Sequence, residues 1–428
     1  MGRRACSASW ARAAAVLVVA IALVGCPGPG TPVVTIDVEG RVVGLYDLPL
    51  AGVVVRSGAA ITVSDAAGRF SLAEVTPPYD LVLSKAEDGG WVHVFEGLTD
   101  AAPRLAPDRP GVMSLAPFVQ TTLRGTVALG FPLPPDLRVI VCVEGLDAIV
   151  FGCDRVETGG TEYELTAYWA PGPPAEVRVH ALAVDLVGGL PVAYPGYGVF
   201  PTTLEAGVPA TLDVTYPENP TTSTLTATII PAGGATLQTV AASVRLGEHL
   251  TMEVYEGKPP GGVLALAVPA IGSGYELVAA SRSQTELGFA WRVRAATAFG
   301  EIRLAASPQL LAPPDGTLGA TLATTFSASV NPEGAMTFQW APETTGLRFA
   351  VTTRRTSVTL PDPADLGFAW PGGAEYGWLA YAQGTASTDA AAARGLVRFY
   401  GAVRPGGPGW GSDGELTLHA SRIVRWAP

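Results

Sequence analysis

The sequence predicts an all-β chain, a string of three to four β-sandwich domains. Three observations predict it. Short runs of Val, Thr, Leu and aromatic residues recur, and Gly and Pro pairs cut them every roughly 8–12 residues, the spacing of sandwich strands. No long segment carries the 3.6-residue apolar period of an amphipathic helix. The 428 residues, with 51 Gly and 37 Pro to supply turns, exceed one small domain, at roughly 100–200 residues each.

The chain opens MGRRACSASWARAAAVLVVAIALVGCPGPG. Its apolar run, Ala13 to Gly25, is 13 residues long. A spanning helix needs about 20, because ~30 Å of hydrocarbon is crossed at ~1.5 Å per residue. The run therefore has the length of a signal-peptide core, and Arg3, Arg4 and Arg12 form its positive flank. Leu23-Val24-Gly25-Cys26 resembles the bacterial lipobox. That resemblance implies a signal peptide over residues 1–25, cleaved before Cys26, with Cys26 diacylated and anchored in a membrane of the cell envelope. Pro27 stands where an aspartate is associated with inner-membrane retention, which points to the outer membrane. Residues 26–33, beginning CPGPGT, form a stiff tether.

The first sandwich unit is expected over residues 34–117. Within GVVVRSGAAITVSDAAGRFSLAEV, a four-residue loop Asp65-Ala66-Ala67-Gly68 would make a hairpin. Val63 would then face Phe70, Ile61 would face Leu72, and all four would point to one side. Asp65 can bond its own turn and Gly68 can take the left-handed conformation. Tyr79, Leu81 and Leu83 alternate in the next strand. Gly40-Arg41-Val42, Pro49 to Val55 and Ser64 to Phe70 resemble, in that order, the motifs of the carboxypeptidase regulatory-like domain, with Ser64 replacing a Thr. The resemblance covers roughly residues 34–100. It implies a seven-stranded transthyretin-like sandwich, serving as an accessory or surface module.

A second unit is expected over 118–216. There Gly125-Thr126-Val127 and Pro132-Leu133-Pro134 loosely repeat the spacing of the first. A third is expected over 217–307, after the boundary YPENPTTST, and a fourth over 308–428. Segments of the fourth, such as MTFQWAPE and GGAEYGWLAYAQG, resemble a fibronectin type III domain. That implies a tyrosine-corner position for Pro371 and Tyr376, with Trp340 and Trp378 in the core.

Cleavage would remove Cys6 and lipidate Cys26, leaving Cys142 and Cys153. If RVIVCVEGLDAIVFGCDRV folds as a hairpin centred between Asp147 and Ala148, the two cysteines lie directly opposite, within disulfide reach. A disulfide is therefore expected in an oxidising compartment.

Net charge is −11, and because residues 1–25 hold three arginines and no acid, the cleaved chain carries −14. With only Lys85 and Lys258 as lysines, the balance argues against nucleic acid as a partner. His93-Val94-Phe95-Glu96 matches an H-x-x-E pattern. However, WVHVFEG reads as a strand, where residues three apart face opposite ways, so His93 is expected as a partly buried strand histidine. No G-x-S-x-G elbow, P-loop or dinucleotide fingerprint is present, and no acidic loop carries alternating calcium ligands. No cofactor, metal or catalytic residue is expected. Tyr168, Trp169, Tyr194 and Tyr197 are candidate ligand-binding residues, because exposed aromatics on sandwich loops stack on sugars or anchor partners; the same residues can instead pack loops onto the sandwich. The expected function is a non-enzymatic binding or structural module of the envelope, partnered by the membrane and by an envelope protein or glycan. A carbohydrate-binding surface protein or an envelope hydrolase is the alternative.

Overall fold

The computed structural model describes residues 34–44, 48–86, 89–107, 118–128, 136–146, 150–156, 160–216, 219–247, 250–283, 286–329, 334–342, 346–369, 372–384, 386–393, 414–419 and 422–426. The signal segment 1–25, the tether 26–33 with Cys26, the segment Pro132-Leu133-Pro134, and Pro371 lie outside the described residues. The chain is a multi-domain β-sandwich protein.

The first unit holds β1 (Ile36–Val42), β2 (Val54–Ser57), β3 (Ala60–Val63), β4 (Arg69–Val75), β5 (Tyr79–Lys85), β6 (Trp91–Leu98) and β7 (Arg104–Leu105). The second holds β8 (Val119–Ala128), β9 (Leu137–Gly145), β10 (Val150–Phe151), β11 (Cys153–Val156), β12 (Glu162–Trp169), β13 (Ala175–Val187), β14 (Leu190–Leu204), β15 (Ala210–Thr211) and β16 (Val214–Thr215). The third holds β17 (Thr222–Ile230), β18 (Thr236–Arg245), β19 (Thr251–Gly257), β20 (Val263–Pro269), β21 (Gly274–Arg282), β22 (Glu286–Arg294) and β23 (Ala298–Arg303). The fourth holds β24 (Leu310–Ala312), β25 (Thr317–Ala320), β26 (Phe326–Ala328), β27 (Met336–Pro342), β28 (Arg348–Thr353), β29 (Ser357–Val358), β30 (Glu375–Ala382), β31 (Gly414–His419) and β32 (Arg422–Trp426).

The first three units share one plan. One sheet runs β4-β1-β7, β12-β8-β15 or β20-β17-β23, and the facing strands run β3-β2-β5-β6, β11-β9-β13-β14 or β19-β18-β21-β22. In each, the first strand is central, antiparallel to one neighbour and parallel to the last strand of the unit. The plan leaves a mark in the sequence. Gly40 lies opposite Phe70, and Gly125 lies opposite Tyr163. A Cβ at Gly40 would sit 2.2 Å from the Phe70 ring, and one at Gly125 would sit 1.8 Å from the Leu212 carbonyl and 2.9 Å from the Tyr163 ring. The aromatic covers the bare backbone. In the third unit both partners change together, to Ala227 opposite Leu264, which is why no glycine motif flags that copy. The fourth unit differs: β24-β26-β29 faces a sheet centred on β27, flanked by β28 and β30.

The hairpin expected in the first unit is corrected. Its turn forms: the Asp65 Oδ1 accepts from the Ala67 and Arg69 N–H groups at 2.8 Å each, and Gly68 takes φ +73°. Its arms part company, however. β3 pairs with β2 and β4 pairs with β1, in different sheets. Phe70 and Leu72 are therefore buried, while Ile61 and Val63 are 66% and 55% exposed. The turn is a bridge between layers.

The units do not stand in space in their order along the chain. β22 pairs antiparallel with β31, and β28 pairs parallel with β6. A single 14-stranded sheet thus runs through the third, fourth and first units. The second unit packs against the third through one shared apolar cluster, in which Ile140, Leu182, Val184 and Tyr194 meet Leu225, Met252 and Leu266. The spatial order is second, third, fourth, first.

Candidate functional site

Of the three joints between units, two carry the described histidine side chains, His93 and His180. At the joint of the first and fourth units, the parallel register Arg348↔Trp91 to Thr352↔Phe95 places His93 beside the fourth unit. His93 is fully buried. Its Nε2 shares a 2.8 Å hydrogen bond with the Thr352 Oγ1, which shares another, 2.8 Å, with the Thr337 Oγ1. Its ring stacks on Phe95, centroids 4.0 Å apart. Burial lowers its pKa to about 3, because the charged imidazolium loses its hydration. Three residues on, Glu96 pairs with Arg355, the Arg355 Nε donating at 2.8 Å. The two halves of the H-x-x-E pattern thus do separate work, one buried among rings and one in an ion pair. Among the described residues, no group of three or more His, Cys, Asp or Glu side chains is placed to hold a metal ion.

The helical residues 388–393 clamp the same joint. The Asp389 carboxylate accepts from the Thr99 N–H at 3.0 Å, the Thr99 hydroxyl at 2.9 Å and the Asp100 N–H at 3.2 Å. The Ala392 carbonyl accepts from the Ala106 N–H, and Ala392 itself enters the core of the first unit.

The second joint carries the other described histidine side chain. His180, opposite Cys142 on β9, lies between two partners. Its Nδ1 is 2.9 Å from the Tyr197 hydroxyl and its Nε2 is 3.1 Å from the Glu144 carboxylate. Cys142 and Cys153 are paired strand to strand and joined by a disulfide, with Cα atoms 4.1 Å apart. Arg155, on the same strand as Cys153, forms an ion pair with Glu253 of the third unit. Burial raises the Glu253 pKa, and the Arg155 charge works against that rise.

The four aromatic candidates separate. Trp169 is 2% exposed and belongs to the second unit's own core. Tyr194 is 1% exposed, its hydroxyl donates to the Ala267 carbonyl at 2.8 Å, and burial pushes that hydroxyl's pKa far up. Tyr197 is 9% exposed and spent on His180. Only Tyr168 is half-exposed, stacked on Phe151 at 5.5 Å. The expectation of an exposed aromatic platform is therefore corrected: a sugar ring cannot lie on side chains that the third unit and the core already cover. The packing alternative describes Trp169, Tyr194 and Tyr197; the cover on Tyr194 could not be read locally, because it involves Ala267 of the third unit. Trp340 and Trp378 are fully buried cross-strand neighbours. The Tyr376 hydroxyl donates to the Leu347 carbonyl at 2.5 Å, a carbonyl just ahead of β28, so this tyrosine ties two strands of its sheet together and closes no corner of its own.

No protein-family model matches the chain, and no curated protein matches it. Among solved structures it is similar to the Bacillus anthracis TIE protein, at 12% identity and a TM-score of 0.15, over 63% of this chain and 49% of that one. It is also similar to BcpA, the major pilin subunit of Bacillus cereus, at 11% identity and a TM-score of 0.14, over 63% of this chain and 99% of that one. The major pilin protein T-13 of Streptococcus pyogenes follows at 7% identity and a TM-score of 0.12, over 55% of this chain and 96% of that one. The chain spans about half the length of the TIE protein structure. At these identities and TM-scores the likeness carries no argument about activity or partners.

Proposed function

We propose that this protein is a lipid-anchored, non-enzymatic structural module of the cell envelope, its first three units being carboxypeptidase regulatory-like repeats. The observation that carries the proposal is the use made of its polar residues. His93, Glu96 and Asp389 at one joint, and Arg155 with Glu253 at the other, are engaged in contacts that hold sandwiches to one another. A chain that spends a buried histidine and several charged side chains on its joints is built to hold its units in a fixed arrangement. The lipobox-like LVGC and the CPGPGT tether supply the anchor in this proposal, and Cys26 carries it. The outer membrane is the favoured surface. Cell fractionation with lipid labelling tests the anchor: Cys26→Ala releases the chain from membranes and abolishes labelling. A Cys26→Ala chain that stays in the membrane fraction refutes it.

A further inference from the structure

The sheet of the fourth unit does not stop at the joint. Its inner face continues into the first unit as two rows of side chains, read across paired strands. One row runs Phe338, Val351, Val94, Val82, Arg56 and Ile61. The other runs Trp340, Phe349, Val92, Ser84, Val54 and Val63. Both begin buried: Phe338, Trp340 and Phe349 are fully covered, and Val92 and Val94 are 1% and 8% exposed. Both end in the open, Ile61 at 66% and Val63 at 55%. The last strand, β3, is the free edge of the 14-stranded sheet, and no described strand pairs with its outer side.

Such an edge is normally blunted by charge, proline or a bulge. β3 reads AITV and has none of these. The equivalent strands of the second and third units are charged: β11 carries Asp154 and Arg155, and β19 carries Glu253 and Glu256. The Arg56 side chain, opposite Ile61, is turned to the backbone, its guanidinium donating to the Gly58 and Asp365 carbonyls.

We propose that β3 is an association edge for a second copy of this chain, paired antiparallel across a twofold axis through Thr62. Two features single out the second copy. The buried ends of the rows are already an interface within the molecule, and beyond Ser84 and Arg56 the rows become apolar again on β3, at the edge. The strand is also self-complementary. Antiparallel pairing centred on Thr62 sets Ile61 of each copy opposite Val63 of the other on the same face, with the two Thr62 residues opposite each other. Both are favourable cross-strand pairs, and one patch serves both copies, as a twofold demands. A four-residue edge buries far less than the ~1,200–2,000 Å² of a stable interface, so the association is weak and rises with concentration.

Sedimentation velocity on the purified chain, from roughly 10 µM to roughly 1 mM, tests this. The wild-type weight-average sedimentation coefficient rises across the series. Ile61→Lys with Val63→Lys sets like charges opposite one another twice and leaves a monomer throughout. Ile61→Lys with Val63→Glu sets opposite charges there and restores association to within about threefold of wild type. Because both positions are exposed, the thermal midpoint stays the same in all three proteins. A wild-type chain that remains monomeric overturns the proposal, as does association that survives the double lysine change. A lysine–glutamate chain no more associated than the double-lysine one overturns the twofold register.

Discussion

Two of the three joints of this molecule are made in opposite ways. The first and fourth units join through backbone: β6 and β28 pair as strands, and side chains such as His93 and Asp389 secure the pairing. The second and third units join through side chains: one face of the β9–β13–β14 sheet lies on the third unit, and among the described residues no strand is shared. The difference traces to the edge each unit offers. β6 reads WVHVFEGL and β22 reads ELGFAWRVR, both free of proline, and both accept a strand of the fourth unit. β14, the equivalent strand of the second unit, reads LPVAYPGYGVFPTTL. Pro191, Pro195 and Pro201 lack the N–H that a further strand would need, the usual protection of an edge. Closed at its edge, the second unit could attach only by its face.

This contrast can be broken at its strongest point first. Leu182 is fully buried in the cluster shared by the second and third units. Leu182→Ala there should cost about 2–5 kcal/mol, as truncation in a packed core does, and urea unfolding measures it. If the loss stays under about 1 kcal/mol, that face contact is not what holds the joint. Next is the disulfide beside it. Replacing Cys142 and Cys153 together by alanine should cost about 2–3 kcal/mol, the chain-entropy value for so short a loop, read by the same measurement.

The backbone joint answers to pH instead. The unfolded His93 titrates near 6.5, whereas in the folded protein burial lowers its pKa to about 3. Between those values the unfolded chain binds the extra proton, so stability is full above about 6.5 and falls as pH drops through the window, at about 1.4 kcal/mol per unit. Acidifying from pH 6.5 to 5 should therefore cost about 2 kcal/mol, and His93→Gln should remove that slope. Urea midpoints at the two pH values decide it; an equal slope in both proteins would place the titrating group elsewhere. The smallest effect on stability sharpens the comparison most. Changing Pro195 and Pro201 to valine should leave the thermal midpoint nearly unchanged while light scattering rises with concentration, because N–H donors return to an open edge.

Several features were legible in the sequence because their causes are local. The Asp65–Gly68 turn forms as its residues dictate. Cys142 meets Cys153 because eleven residues of sequence separation leave a hairpin little choice of register. Strand and turn signals, read at short range, mark out an all-β chain of several sandwiches. The destinations of those strands were not legible. Nothing near Val63 says that its strand joins β2 while β4 joins β1, since each choice depends on a partner far along the chain. His93 meets Thr352 across 259 residues, and Tyr194 is buried by a unit whose sequence begins after it. The sequence by itself determined the turns, the alternating strands and the disulfide register, all set by geometry and hydrogen bonding within a few residues. Only the tertiary structure decided which edges met, which aromatics were covered and that the first unit lies beside the last, because a strand edge offers the same backbone groups to every strand and the choice falls to packing over long range.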